Sequence, residues 1–176
     1  WYRYHPLFQE LLRSRLAAAY DGAAVAGLHT RASEWLAGGG FVDEALHHAL
    51  AAGNMAAAAR LVERNFHPMA DRDAWYTLER WMAMLPADVV EERPGLTLAQ
   101  AWLMHHQFKL RAIPPLLKQA EALLVAGTPD LSGAQKQALR AEIDVLRSEV
   151  WLWSGEVQRS LDCARRAAAG VPGEHL

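Results

Sequence analysis

The stretch FVDEALHHALAAGNMAAAARLVERNF, residues 41–66, decides the fold class. Its apolar residues recur three and four positions apart, which is the period of an α-helix with one buried face. They are Val42, Ala45, Leu46, Ala49, Leu50, Met55, Ala58, Ala59, Leu61, Val62 and Phe66. Gly53 and Asn54 interrupt the pattern, because glycine commonly ends a helix and asparagine caps the next one. The stretch therefore predicts two helices joined by a tight turn.

The same arrangement of helix, short turn and helix recurs along the 176 residues. The apolar stripes of the last two hairpins coincide at a spacing of 44 residues, as a comparison of Ile113, Leu117 and Ala120 with Val157, Leu161 and Ala164 shows. A lone hairpin cannot bury its stripe, so neighbouring hairpins have to stack. Ala and Leu abound, whereas strand-favouring Ile and Thr are scarce. We predict an all-α protein of stacked antiparallel helical hairpins, a tetratricopeptide-like right-handed α-superhelix with a concave and a convex face.

Prolines and capping residues predict where individual helices begin and end. Pro68 is expected to end the helix that contains residues 55–66, since proline inside a helix removes a hydrogen bond. Asp71 or Asp73 is expected to begin the next helix, and Ser132 to cap a long helix near the end of the chain. Gly155 is expected to turn that long helix into the last one.

Composition and charge exclude several classes of protein. The net charge is −2, with 18 basic and 20 acidic side chains, so charge alone would not attract a polyanion. A single cysteine, Cys163, cannot form an intramolecular disulfide, which suits a reducing cytoplasm. No apolar run reaches the roughly 18 residues of a membrane span, and no signal peptide is visible. We therefore expect a cytoplasmic protein.

Two parts of the sequence together carry a family resemblance. The opening reads Tyr4-His5-Pro6-Leu7-Phe8, followed by Leu11-Leu12-Arg13 and Leu16. Further on come Leu28-His29, Arg31-Ala32, Trp35-Leu36, Glu44-Ala45, His48-Ala49-Leu50, Ala52-Gly53, Leu85-Pro86 and Arg93-Pro94. Over roughly the whole chain this resembles the large ATP-binding LuxR-type transcription activators, the MalT-like proteins. The resemblance implies that residues 1–40 close a winged-helix subdomain of an ATPase module, and that residues 41–176 are the helical-repeat sensor segment.

The resemblance also implies modules that would lie outside these residues. An ATP-binding module should precede Trp1, and a DNA-binding helix-turn-helix should follow Leu176. The chain itself has no Gly-Lys pair, and hence no phosphate-binding loop of the Walker type. We expect no cofactor here, ATP in the upstream module, and contact with DNA solely through the helix-turn-helix. The partners implied are a small-molecule inducer or a regulatory protein, together with the ATPase module, and no membrane.

The histidines and the cysteine raise two alternatives that the residue patterns do not favour. Glu44 and His47 form a Glu-x-x-His pair on one helical face, but a di-iron site needs a second such motif, and the sequence has none. The eight histidines are therefore interpreted as surface or core residues, and no metal site is expected. Cys163 stands among alanines on an apolar stripe with no histidine placed as a base, so we expect a packed thiol and no catalytic residue.

Aromatic residues are the first group of candidate binding residues. Seven tryptophans are many for this length, and four of them fall on apolar stripes where we expect them to fill gaps between helices: Trp35, Trp81, Trp102 and Trp153. Trp75, Tyr76 and Trp151 cannot all be buried, because neighbouring helical positions diverge by about 100°. An exposed ring on a concave face could stack on a sugar or an aromatic effector.

A polar ridge is the second group. It recurs at spacings of three and four residues and consists of Arg140, Asp144, Arg147 and Trp151. Facing the concave groove, this ridge would be a polar binding strip; facing outward, it would be a set of helix ion pairs that contribute little. The candidate effector-binding residues are therefore Trp75, Tyr76, Trp102, His106, Arg140, Asp144, Arg147 and Trp151.

The leading functional hypothesis is a binding module: the effector- or partner-binding regulatory segment of an ATP-dependent bacterial transcription activator. It would couple signal binding to ATPase and DNA-binding modules elsewhere in the polypeptide, with no catalysis of its own. One alternative keeps the fold as a stand-alone scaffold for protein–protein interaction. Another is an enzyme built on a helical bundle, which the missing catalytic motifs disfavour.

Overall fold

The computed structural model describes residues 5–128 and 130–170. These residues form ten α-helices and one short 3-10 helix, with no β-strand among them. The helices are α1 Pro6–Ala19, α2 Gly22–Gly38, α3 Val42–Ala51, α4 Met55–Ala70, α5 Trp75–Met84, α6 Ala87–Glu91, α7 Pro94–His106, α8 Ile113–Ala126, α9 Gly133–Trp153 and α10 Val157–Gly170. The 3-10 helix, Leu110–Ala112, precedes α8. Pairs of consecutive helices pack together, which confirms the all-α prediction of helical hairpins.

The chain divides into two compact units, and the boundary between them falls between Leu61 and Val62, within the sequence of α4. In the first unit α2 and α3 form a hairpin. The Asp21 side chain accepts a hydrogen bond from the Ala24 N–H at 2.7 Å and caps α2, and Gly40 supplies the left-handed backbone of the turn at φ +79°. The buried Ser33 hydroxyl donates to the Ala45 carbonyl at 2.8 Å, which ties the two helices together.

This hairpin bears on the predicted domain boundary at residue 40. Because α2 and α3 pack against each other on either side of that residue, the compact unit continues past it to Leu61. The assignment of residues 1–40 to a winged-helix subdomain, and of residues 41–176 to a sensor segment, stays a prediction. Trp1 and Tyr4 of the opening lie outside the described residues.

Two helix-boundary predictions near the start of the second unit are wrong. Pro68 lies inside α4, which continues to Ala70, because a proline so close to the end of a helix disturbs only its last turn. Neither Asp71 nor Asp73 caps α5, since the helix begins at Trp75 after Ala74, with no side-chain cap. Asp73 instead takes the left-handed backbone of the turn, with φ +58°.

The second unit contains two further hairpins, α7 with α8 and α9 with α10. Their shared core is a cluster of buried side chains from α7, α8 and α9: Leu98, Ala101, Ile113, Leu117, Ala120, Leu124, Ile143 and Leu146. Ser132 caps α9 as predicted, in a capping box with Gln135, and Gly155 provides the turn into α10 at φ +79°. Cys163 is buried, as predicted for a packed thiol.

The predicted apolar stripe of α10 was wrong in its orientation. Val157, Leu161, Ala164 and Ala168 are exposed, whereas the residues that are buried on this helix are Ser160, Cys163 and Ala167. The side of α10 that packs against its partner α9 is therefore the one next to the predicted stripe. The gap-filling role also fails for two tryptophans, because Trp35 is 73% and Trp153 63% exposed, while Trp81 is buried. Among the described helices, none has the length and apolar character that crossing a membrane requires.

Candidate functional site

The helices α5, α7 and α9 lie side by side in the second unit, with α7 in contact with both of the others. Three of the predicted site residues come together here. The Trp75 ring of α5 stacks on the His106 ring of α7, with centroids 4.3 Å apart and planes 11° from parallel. Phe66 of α4 lies edge-on to Trp75, with ring centroids 6.4 Å apart. The stack presents an aromatic surface that is half-buried at Trp75 and exposed at His106.

Glu142 of α9 joins the third predicted residue, Trp102, to a histidine from α4. The Trp102 indole Nε1 donates a hydrogen bond to Glu142 Oε1 at 2.5 Å. His67 Nε2 lies 3.4 Å from the same carboxylate oxygen. Two donors on one oxygen orient the carboxylate firmly, because a bond to a charged acceptor is stronger than a neutral one. Glu142 thereby links the side chains of α4, α7 and α9.

A second carboxylate extends this arrangement along α9. His105 Nε2 lies 3.9 Å from Glu149 Oε2, and the His105 ring meets Trp102 edge-on at 5.7 Å. We name the whole set the aromatic–histidine cluster. It consists of Phe66, His67, Trp75, Trp102, His105, His106, Glu142 and Glu149.

Electrostatics within the cluster favour a charged histidine. The hydrogen bond with Glu142 raises the pKa of His67 above its ordinary value of 6.5, against an opposing effect of burial. The negative charges of Glu142 and Asp71 act in the same direction as the hydrogen bond. The cluster therefore sets a protonatable ring beside a carboxylate and next to flat aromatic faces, a combination suited to holding a polar ligand that also has an apolar face.

The other predicted residues lie elsewhere. Tyr76 is 80% exposed beside Trp75. The polar ridge of α9 pairs with α8 and α10: Arg147 contacts Glu121 of α8 at 2.8 Å, and Asp144 accepts from Arg166 of α10 at 2.8 Å. Its contacts are thus of the ion-pair kind that the outward-facing alternative describes.

The end of the ridge is arranged in the same way. The Arg159 guanidinium of α10 lies over the Trp151 ring, 4.9 Å from its centroid, and Arg140 is exposed. Of the eight candidates, three lie in the aromatic–histidine cluster, four form the ridge on α9, and Tyr76 is exposed outside both groups. Their role in binding an effector stays a prediction.

Sequence reasoning missed the residues that complete the cluster, namely Phe66, His67, His105, Glu142 and Glu149. One signal was present, because Glu142 and Glu149 are two helical turns apart and share a face of α9 with Leu146. Acidic residues one helical turn before and after a buried apolar residue indicate that polar groups border the packed surface on that face. His67 carries no such signal, since only tertiary packing brings α4 to α9.

A separate histidine pair lies in the first unit. The His29 and His48 Nδ1 atoms are 2.8 Å apart, so one ring donates a hydrogen bond to the other. Burial, followed by repulsion from His29 and His47, lowers the pKa of His48 below 6.5. His47, the histidine of the Glu-x-x-His pair, contacts the Asp43 carbonyl of its own helix through Nδ1 at 2.8 Å. Within residues 5–128 and 130–170, no three His, Cys, Asp or Glu side chains gather as metal ligands would.

The fold and the cluster define the chain as an all-α protein of helical hairpins with an aromatic and histidine-rich face. No protein-family model and no solved structure matches it. It is similar to the serine/threonine-protein kinase PknK of Mycobacterium tuberculosis and of Mycobacterium bovis, being 35% identical over 167 residues. The match takes in 95% of this chain, which spans about 15% of the length of these curated relatives.

Proposed function

We propose that this chain is the helical-repeat regulatory segment of a large, ATP-dependent multidomain transcription activator of the cytoplasm. It binds a small-molecule inducer or a regulatory protein and passes the signal to an ATPase module and, through a helix-turn-helix, to DNA. The observation that supports this proposal best is the aromatic–histidine cluster, in which residues of α4, α5, α7 and α9, all in the second unit, bring aromatic rings, histidines and carboxylates into contact. The similarity to a segment of a much longer serine/threonine-protein kinase supports the multidomain setting.

The chemistry of the cluster favours an effector with a flat apolar face and several hydrogen-bond donors. A sugar or an aromatic compound would stack on the Trp75–His106 pair. Its hydroxyl or amino groups would donate to Glu142 and Glu149, whose carboxylates accept hydrogen bonds when ionised. Both helices that carry the rings also carry core residues, so the surface is held rigid and little order has to be gained on binding.

Binding without catalysis is the role that these residues support, although the relatives are kinases by name. A kinase catalytic domain carries His-Arg-Asp and Asp-Phe-Gly motifs, which place the catalytic base and the metal ligand. Neither tripeptide occurs in this sequence. The basic residues are mixed with acidic ones along the helices, so direct contact with DNA phosphates is also disfavoured.

Signal transfer would follow from differential binding. An effector that prefers one arrangement of α5, α7 and α9 shifts the population of the protein towards that arrangement. The shift reaches a second module only if that module also distinguishes the two arrangements, and the coupling is then reciprocal. ATP bound at the upstream module should therefore change the affinity of this segment for its effector by the same factor.

A thermal-shift screen with sugars, aromatic acids and nucleotides tests the proposal. A ligand at a hundredfold excess over its Kd should stabilise the protein by about 2.7 kcal/mol. Glu142→Gln keeps the shape of the side chain and should reduce the shift, as should Trp75→Leu. Trp35→Leu is the matched control, since Trp35 is an exposed tryptophan of the other unit. A shift that all three variants retain would place the effector elsewhere, and silence across the screen would favour the protein-binding scaffold.

A further inference from the structure

Helices α8 and α10 carry the same apolar stripe at a spacing of 44 residues, but only one of the two is covered. On α8 the four residues are buried: Ile113, Leu117, Ala120 and Leu124. The corresponding residues of α10 are exposed, with Val157 at 56% and Leu161 at 45%, followed by Ala164 and Ala168. Equal positions in consecutive hairpins thus differ in environment, although all eight residues are apolar.

The difference has a structural cause in the hairpin that follows. The α8 residues belong to one cluster with Leu98 and Ala101 of α7 and with Ile143 and Leu146 of α9, so the stripe is packed between two helices, and α9 is the one that the following hairpin supplies. Helix α10 packs on α9 through Ser160, Cys163 and Ala167 instead, which leaves its stripe free of that contact. Within residues 5–128 and 130–170, no helix stands in the position of α9 one repeat further on, where it would cover the stripe of α10.

Helix α9, which packs against α10, also carries exposed apolar residues. Val145 and Leu152 are two helical turns apart on that helix and are 37% and 53% exposed. Since α9 contacts both α7 and α8, the equivalent helix of a further hairpin would contact both α9 and α10. We name the stacking face as Val145, Leu152, Val157, Leu161, Ala164 and Ala168.

Charge at the edge of the face specifies the occupant further. Glu121 of α8 forms an ion pair with Arg147 of α9, in which Oε2 and Nη2 are 2.8 Å apart. The residue 44 positions after Glu121 is Arg165, whose side chain is 71% exposed and lies 3.4 Å from Asp162 of its own helix. An arginine in the occupant, at the place of Arg147, would meet Arg165 as a like charge. A carboxylate at that position of the occupant would form an ion pair with Arg165, with the charges exchanged relative to the pair of Glu121 and Arg147.

We propose that the stacking face is a docking surface for the first helix of a further hairpin of the same type, supplied in cis by a longer polypeptide. That helix carries an apolar stripe towards α10 and an acidic residue opposite Arg165. The repeat register and the unequal burial of α8 and α10 carry the proposal. A surrounding polypeptide of sufficient length agrees with the relatives, of which this chain spans about 15%.

A chain with one added repeat tests the proposal directly. Residues 127–170 are repeated after Gly170, with Arg147→Glu in the added copy. The added hairpin should fold on the stacking face, raise the Tm by about 5 °C or more, and slow amide exchange in residues 157–168 at least tenfold. Keeping Arg147 in the added copy should give a smaller gain, because it faces Arg165.

Leu161→Glu, introduced in the original copy, separates docking from general stability. In the unextended chain Leu161 is half-exposed, so the variant should keep its helical circular dichroism and nearly its full Tm. In the extended chain the same change should abolish the gain in Tm and the added exchange protection. Gln158→Glu, an exposed change on the same helix, is the control and should retain both.

Three results would overturn the proposal. The first is an added hairpin that gives no increase in Tm and no protection of residues 157–168. The second is an equal effect of Leu161→Glu in the two chains. The third is a concentration-dependent dimer of the unextended chain that Leu161→Glu dissociates in analytical ultracentrifugation, since the face would then serve association between two copies.

Discussion

At the residue scale, two glycines show how backbone conformation alone can decide the sign of a substitution. Gly155 has φ +79°, and a Cβ there would meet nothing within 4 Å. Gly27 lies inside α2 with equally open space. Gly155→Ala should destabilise the protein by about 1 kcal/mol, because an L-residue resists the left-handed region. Gly27→Ala should stabilise it by about 0.5–1 kcal/mol, since alanine favours the helix. Urea denaturation measures both, and effects of the same sign would contradict the prediction.

The histidine beside Glu142 gives a prediction for pH. Because the hydrogen bond with Glu142 raises the pKa of His67 above 6.5, the folded state holds this proton more tightly than the unfolded state. The resulting stabilisation is complete below pH 6.5 and is lost as the pH rises through the higher, folded pKa. Its size is small, since the His67 side chain is 56% exposed and the pair is screened by solvent.

Glu142→Gln should move the His67 pKa down towards 6.5 while leaving Trp102 an oxygen that can accept its hydrogen bond. Titration of the His67 ring by NMR measures the change. An unchanged pKa in this variant would show that Glu142 is not its principal cause.

The histidine pair of the first unit should respond to pH in the opposite sense. Burial, then His29 and His47, lower the pKa of His48, so the unfolded state takes up this proton before the folded state does. The contribution of His48 to stability is therefore present above pH 6.5 and is lost as the pH falls through its lower, folded pKa. His29→Ala should raise the His48 pKa, measured by NMR, because it removes one repelling charge. A further decrease would contradict this assignment.

At the element scale, a partly buried ion pair fixes the start of α7. Arg93 donates to Glu63 of α4 through Nε at 3.1 Å and Nη2 at 2.8 Å, with both side chains 20% exposed. The hydrogen bonds with Glu63 raise the pKa of Arg93. A Cβ on Gly95 would lie 2.9 Å from Glu63 Oε1, so the carboxylate also packs closely on the first turn of α7.

Removing one partner of this pair should be costly. Arg93→Met should destabilise the protein by about 1.5–3 kcal/mol, since Glu63 would keep its charge without its main hydrogen-bond donor. Arg165→Met is the matched control: its pair with Asp162 is exposed, and the expected change is within about 0.5 kcal/mol. Chemical denaturation of the two variants compares them, and equal losses would show that burial of the pair contributes nothing.

Element boundaries show how far local patterns can be trusted. The caps at Asp21 and Ser132 follow from the sequence because each acts on backbone groups within three residues. The boundaries at Pro68 and Asp73 do not follow, because a last helical turn and a left-handed turn depend on how the chain enters the next packed helix. Local chemistry thus predicts a boundary well where the stabilising contact is itself local.

At the scale of the whole molecule, each of the two compact units has buried residues of its own. Leu46 is fully buried in the first, and Ile143 is nearly so in the second. Either change to alanine should cost about 2–5 kcal/mol. Hydrogen exchange should show Leu46→Ala acting mainly on residues 22–51, and Ile143→Ala mainly on residues 94–153, because repeat proteins are stabilised by neighbouring contacts. Equal loss of protection along the chain in both variants would instead indicate a single cooperative unit.

The candidate site could be predicted in part. The candidates named from the sequence include Trp75, Trp102 and His106, which the structure brings into one cluster. The ridge that spacing on α9 singled out pairs with α8 and α10 through Arg147 and Asp144, and its role in binding stays a prediction. A periodic pattern identifies which residues share a face, but not which neighbour that face meets.

The sequence by itself determined the helices, most of their caps and the hairpin repeat, because helical period and capping are properties of residues within one or two turns of each other. Only the tertiary structure decided that His67 meets Glu142 and that the stripe of α8 is buried while that of α10 is exposed. The physical reason is that burial depends on which surface a helix finds opposite it. Two helices with the same stripe can therefore differ in environment when one of them packs between two neighbours and the other, within the described residues, packs against one.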